Sequence, residues 1–145
     1  MIVLDTTILV YAVGERHPYA EPCRSVIRLL AEGEARATTT PEVIQEFLHV
    51  RARRRTRGDA ARLARAYAKL LSPLLAVGDD DLDAGLALYE SGRLGAFDAV
   101  LAATALRRGC RLLLSADRAF SAVAELAVAG PADKALLGRV RAAAT

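Results

Sequence analysis

Residues 94–107, LGAFDAVLAATALR, constrain this chain more than any other stretch. From Ala96 to Leu106 nearly every residue is apolar or small, as in a helix buried against a core. Asp98 interrupts the run. A carboxylate taken out of water is costly unless something pairs with it. The nearest cations, Arg93, Arg107 and Arg108, stand only at the ends of the stretch. Three more acids have apolar surroundings: Asp5 after Ile2-Val3-Leu4, Glu46 within EVIQEFLHV, and Asp117 after Leu112-Leu113-Leu114. Four acids entering one core from four segments predict a carboxylate cluster around a divalent cation.

The rest of the chain predicts how they would meet. Ile2–Leu4 is a short, fully apolar run of the kind that forms a central parallel strand, and residues 111–114, with Leu112-Leu113-Leu114, are expected to form another. Further strands are expected at 35–39, at 74–77 and, weakly, at 126–129. Helical spacing covers 8–13 and 19–32. Thr40-Pro41-Glu42 is a helix start with Thr40 as N-cap and Pro41 in the first turn. That helix is expected to run into a basic tract and stop at Gly58, with Asp59 capping the next helix, 60–71. Asp79-Asp80-Asp81 caps another, which reaches Ser91. Strands alternating with helices make this an α/β sandwich around a central parallel sheet, where ligand sites form beyond the strands' carboxyl ends. Asp5 and Asp117 both follow apolar strands.

A length of 145 residues fits one domain with a single core. Aromatics are only 5% and Trp is absent, which favours an Ala/Leu/Val core over an aromatic-rich β-sandwich. The net charge of +3 permits a polyanionic partner without requiring one. Cys23 and Cys110 follow no zinc-ligand spacing and read as reduced thiols of a cytoplasmic protein. MIVLDTT lacks the basic region and cleavage site of a signal peptide, and no apolar run approaches the ~20 residues of a membrane span.

The residues named so far resemble those of the PIN-domain ribonucleases, in particular the VapC-like toxins of prokaryotic toxin–antitoxin pairs. The resemblance runs from Met1 to about Pro131, so 1–131 is expected to be the nuclease domain and 132–145 a helical tail. Its motifs are the strand followed by D-T-T (Asp5, Thr6, Thr7), the helix with Q-E-F (Glu46), F-D-A-V-L-A-A-T-A (Asp98), and the strand followed by S-A-D-R-A-F (Asp117, Phe120). It implies a PIN-like α/β/α fold in which Asp5, Glu46, Asp98 and Asp117 bind Mg²⁺ or Mn²⁺ and hydrolyse RNA to 5′-phosphate and 3′-hydroxyl ends. Thr6, Thr7 and Ser115 fall on supporting hydroxyl positions. It also implies a cognate antitoxin that blocks the acidic pocket, and a homodimer. Where some members carry a further acid two residues after the last Asp, this chain has Ala119. The core quartet is therefore implied, but not a full second-metal site.

The chemistry suits the residues. Phosphodiester hydrolysis needs an activated nucleophile, charge neutralisation and a stabilised leaving oxygen. Hard dications supply these and prefer carboxylate ligands. Four anions within about 5 Å repel by roughly 3 kcal/mol per pair at an effective dielectric near 20, which a bound dication reverses. Taken singly, Asp5 and Asp117 could each be a helix cap, and Glu46 a solvated helix residue. The arginines Arg51, Arg53, Arg54, Arg55 and Arg57 are either a solvated helix end or a contact for RNA backbone or an acidic partner. His17 and His49 have no partner pattern and read as surface or loop residues. Rival readings are an RNA-processing PIN nuclease without antitoxin and a binding module with an inactive pocket. A haloacid-dehalogenase-like phosphatase would need a second Asp at Thr7.

Overall fold

The computed structural model describes residues 1–144. Ile2–Leu4 forms β1, buried along its whole length. It leads into α1 (Thr6–Val13), α2 (Ala20–Ala31) and the two-residue β2 (Ala37–Thr38). Four helices follow: α3 (Pro41–Ala52), α4 (Arg57–Leu70), α5 (Asp79–Ser91) and α6 (Ala96–Arg107). Then come β3 (Leu112–Leu114), a 3₁₀ turn over Arg118–Ala122, β4 (Val128–Ala129) and α7 (Leu136–Ala144).

The sheet order is β2-β1-β3-β4, with every neighbouring pair parallel. The chain leaves β1 toward β2 on one side and returns through α3–α6 to β3 on the other. The carboxyl ends of β1 and β3 therefore flank a reversal of strand order, where parallel α/β sheets leave a crevice. The core beneath is aliphatic, with Val3, Leu4, Ile8, Leu9, Leu113 and Leu114 fully buried. Phe47 meets Tyr67 edge-on at 5.0 Å, and the Tyr67 hydroxyl donates to the Leu9 carbonyl at 3.0 Å, which locks α3 and α4 onto α1. Burial pushes the Cys23 thiol up to about 12, so this cysteine is inert packing.

The α5–α6 hairpin is set by two contacts. At Gly85 a Cβ would lie only 2.8 Å from Val100 Cα, so the helices touch backbone to backbone. At the other end Asp81, 2% exposed, accepts from Gly78 N, Arg107 Nε and both terminal nitrogens of Arg108. These bonds hold its carboxyl well below the usual carboxylate range, with the Arg108 bond the largest contributor.

The structure corrects several expectations. Residues 74–77 are not a strand: Leu75 N bonds to Thr39 O at 2.9 Å, but no ladder follows, and the segment only covers the β2 edge. Gly58 does not end a helix. It lies in the first turn of α4, whose cap is Thr56, accepting from Asp59 N, rather than Asp59. The 35–39 strand shrinks to two residues, since β2 pairs only through Ala37 and Thr38. Where the sequence leaves open whether the tail packs back or meets another copy, Leu136 and Val140 of α7 are buried in the core of the chain.

Candidate active site

Asp5 is placed by the sheet. Its backbone N donates to Leu114 O at 2.9 Å, one bond beyond β1, which sets it beside Ser115. Asp5 is only 4% exposed. It occupies the N-cap position of α1, but its side chain makes no capping bond. Instead Oδ2 accepts from Ser115 Oγ at 2.6 Å and from Thr7 Oγ1 at 2.8 Å. Each hydroxyl has one proton, and both are directed at the carboxylate. Their lone pairs accept from Asp117 N and Ala116 N, each at 2.9 Å. The 3.3 Å gap between Thr7 Oγ1 and Ser115 Oγ is therefore proximity, because neither has a proton left to share.

Glu46 projects from α3, where Thr6 Oγ1 donates to its Oε2 at 2.8 Å. Asp98 lies in the first turn of α6, behind the N-cap Gly95, and not within the helix body as its apolar surroundings suggested. Asp117 follows β3 and caps the 3₁₀ turn, accepting from Ala119 N at 2.8 Å. Only Asp5 is truly buried. Asp98 is half-buried, while Glu46 and Asp117 stand exposed at the rim. Four acids inside the core would have been too costly, and the rim lets two keep their water.

The four still act on one another. Burial first, and then the charges of Asp5, Asp117 and Glu46, push the Asp98 carboxyl up to about 7. Among the described residues no Arg, Lys or His forms an ion pair with any of the four. Nor are any three His, Cys, Asp or Glu of the described residues gathered closely enough to form a ready-made metal cage. The acids face one another across the cleft at coulombic range, as like charges do. The donor set is all oxygen, backed by hydroxyls that fix two of the carboxylates, and that suits a hard divalent cation better than a soft one.

Comparison with known proteins identifies the architecture. The sequence profile of the PIN domain matches residues 2–126. This chain belongs to the PIN-domain family. It is 48% identical over 131 residues to Ribonuclease VapC7 of Mycobacterium tuberculosis, covering 87% of this chain and 88% of that protein. A shorter match, 39% over 49 residues, is to Ribonuclease VapC23 of the same species, covering 34% of this chain and 39% of that protein. Among solved structures, VapBC2 from Rickettsia felis bound to a promoter DNA fragment superposes with a TM-score of 0.70 at 16% identity, covering 90% of this chain and 98% of that one. FitAcB from Neisseria gonorrhoeae gives 0.69 at 17%, covering 90% and 98%. At such identities the structural matches speak for the fold.

In this PIN domain two cavities meet at the acids. One, of about 360 Å³, is mainly apolar, with Val43, Leu82, Phe97 and Leu101 in its wall. The other, of about 540 Å³, extends toward the α1–α2 loop and the α3–α4 turn. Asp5, Glu46 and Asp98 border both, and Asp117 borders the second.

The arginines of this PIN domain do not act as a block. Arg51 turns inward, bonding Asp59 at 2.9 Å and the Val13 carbonyl at 3.3 Å, so it braces α3 against α1 and α4 rather than facing a partner. Arg55 pairs with Glu15 at 2.6 Å. Arg53 and Arg57 are exposed, and Arg54 lines the larger cavity. Tyr11, Arg16 and His17 line it too, His17 as the exposed loop residue the sequence predicts. The available signal was the crowding of Tyr11, His17 and Tyr19 in a chain with four Tyr, three Phe and no Trp.

Proposed function

We propose that this protein is a divalent-metal-dependent endoribonuclease, using Mg²⁺ or Mn²⁺, and the toxin of a toxin–antitoxin pair. The observation that carries this is the convergence of Asp5, Glu46, Asp98 and Asp117 on one cleft with no Arg, Lys or His ion-paired to them among the described residues, which burial and mutual repulsion at Asp98 reinforce. Such a cluster is unfavourable by itself and gains stability from a dication. The 48% identity to a protein named as a ribonuclease supports the same reading.

Asp5, Asp98 and Asp117 would hold the metal, with Glu46 as a further ligand or as the group that orients the attacking water. When bound, the ion neutralises the scissile phosphate and lowers the pKa of that water. The protein's own part is to fix the carboxylates. Ser115 and Thr7 hold Asp5 by one oxygen and leave the other without a hydrogen bond among the described residues. Thr6 anchors Glu46 to the start of α1, so its carboxylate swings little. Glu46, exposed at the rim, would orient the attacking water or take its proton if it does not itself bind the metal.

For the partner, the surface of α5 supports a protein. Leu82, Leu86 and Tyr89 are 47%, 54% and 54% exposed at i, i+4 and i+7, and Phe97 is 76% exposed beside the cleft. An antitoxin segment covering this stripe would reach the acids with an Arg or Lys. A second copy of the chain is the expected dimer partner. No helix among the described residues is long and apolar enough to cross a membrane.

The test is cleavage of a mixed RNA pool with Mg²⁺ or Mn²⁺, with and without EDTA, by wild type, Asp5→Asn and Asp98→Asn. Cleavage is expected only from wild type with metal. Cleavage that survives both substitutions unchanged, or persists in EDTA, overturns the proposal.

A further inference from the structure

Three rings crowd the mouth of the cleft. Tyr11 near the end of α1, and His17 and Tyr19 in the loop after it, form one cluster. Centroids are 4.7 Å apart for Tyr11–His17, 5.4 Å for Tyr11–Tyr19 and 4.8 Å for His17–Tyr19. Tyr19 N donates to His17 Nδ1 at 3.0 Å, so the neutral imidazole carries its proton on Nε2 and its orientation is set. The loop is braced from two sides. Arg24 donates to the Ala12 and Gly14 carbonyls at 3.1 and 2.7 Å, and Arg55 holds Glu15 from the α3–α4 turn. Between these braces Arg16 is forced to a φ of 22°, a conformation that residues with a Cβ seldom adopt.

Rings that served only to build a core would be hidden. His17 is exposed, and Tyr11 and Tyr19 are half-buried. Tyr11 and His17 share their cavity with Asp98 and Asp117 and with Arg16 and Arg54. Neither arginine is ion-paired among the described residues. Tyr19 lines the adjoining hollow on the other side of Asp117, together with Arg118. Flat π faces, uncommitted guanidinium groups and hydrolytic carboxylates in one cleft match the parts of an unpaired nucleotide. A base stacks on rings, a phosphate meets arginine, and the next phosphodiester lies against the acids.

We propose that Tyr11, His17 and Tyr19 form a stacking platform for one unpaired base of the RNA, and that this base sets which phosphodiester reaches the carboxylates. The proposal rests on the ribonuclease reading above. The rings bind and position the strand, and none takes a proton in the reaction.

The experiment uses a short single-stranded RNA carrying a mapped cut site, with kcat and KM measured for wild type, His17→Ala, Tyr19→Ala and His17→Phe. The same RNA is also tested with single abasic nucleotides around the cut. Stacking contacts of ordinary strength predict a KM raised about tenfold in His17→Ala with kcat little changed, and recovery to within about twofold in His17→Phe. One abasic position should impose the same penalty on wild type and add nothing in His17→Ala. Because His17 is exposed, its alanine variant is expected to melt like wild type. An unchanged KM in both alanine variants overturns the platform, and so does a loss that Phe does not recover. Unchanged RNA kinetics with weakened binding of an inhibitory protein would assign the rings to partner docking, which also overturns it. A wild type that cuts no RNA at all defeats the ribonuclease reading itself, a different result from a wild type that cuts while its variants behave alike.

Discussion

Ser115 Oγ lies 2.6 Å from Asp5 Oδ2, although 110 residues separate the two in the chain. The contact follows from one ladder position. Leu4 pairs with Leu114, so the residue after each strand meets the residue after the other. The acid of β1 is thus held by the hydroxyl of β3.

Removing that hydroxyl tests its importance. Ser115→Ala combined with Thr7→Val should leave the fold intact and reduce kcat/KM for RNA about 10- to 100-fold, the usual effect of losing the groups that orient a metal-binding carboxylate. The concentration of Mg²⁺ giving half-maximal rate should rise in parallel. Unaltered metal dependence would show that the hydroxyls do not position Asp5 for a metal.

Asp98 predicts a pH dependence of stability. Its carboxyl ordinarily titrates near 3.8 and in the folded chain near 7. Between those values the folded chain keeps a proton that the unfolded chain has lost. Stability in EDTA therefore falls as pH rises through that window and levels off above it. Melting temperatures recorded across that range should decline for wild type and flatten for Asp98→Asn. A wild-type curve that climbs instead would contradict the clustering of like charges.

Asp81 has the opposite sign. Arg108, Gly78 N and Arg107 hold its carboxyl below the ordinary range, so its contribution is present above the unfolded pKa and is lost only as strong acid approaches the folded one. Asp81→Asn should lower the melting temperature at neutral pH, whereas Asp80→Asn, whose side chain is 90% exposed, should not. RNA cleavage at low temperature should persist in both, because neither residue faces the acids. Equal melting temperatures for the two variants would remove Asp81 as the clamp of α5 on α6.

Gly85→Ala should destabilise the hairpin by about 1–3 kcal/mol, the usual cost of overpacking. Val100→Ala should not restore it, since the new Cβ would meet Val100 Cα at 2.8 Å as well as the side chain. Chemical denaturation of the single and double variants measures both effects. Full recovery in the double variant would place the clash on the side chain alone.

The sequence by itself determined the frame: the apolar runs Ile2–Leu4 and Leu112–Leu114 fit central strands, with Asp5 directly after the first and Asp117 three residues after the second. Thr40 and Pro41 marked a helix start for the same local reason, since capping is written in adjacent residues. The acids Asp5, Glu46, Asp98 and Asp117 were legible because charge in an apolar setting needs an explanation. Only the tertiary structure decided how they are shared out, one buried, one half-buried and two on the rim, since desolvation depends on neighbours that sequence distance hides. It also turned Arg51 inward to Asp59, made residues 74–77 an edge cover, and brought Tyr11 and His17 to the cleft. A run of residues carries its periodicity and its caps, but a side chain's partner is fixed by which elements pack together. That is a property of the whole fold.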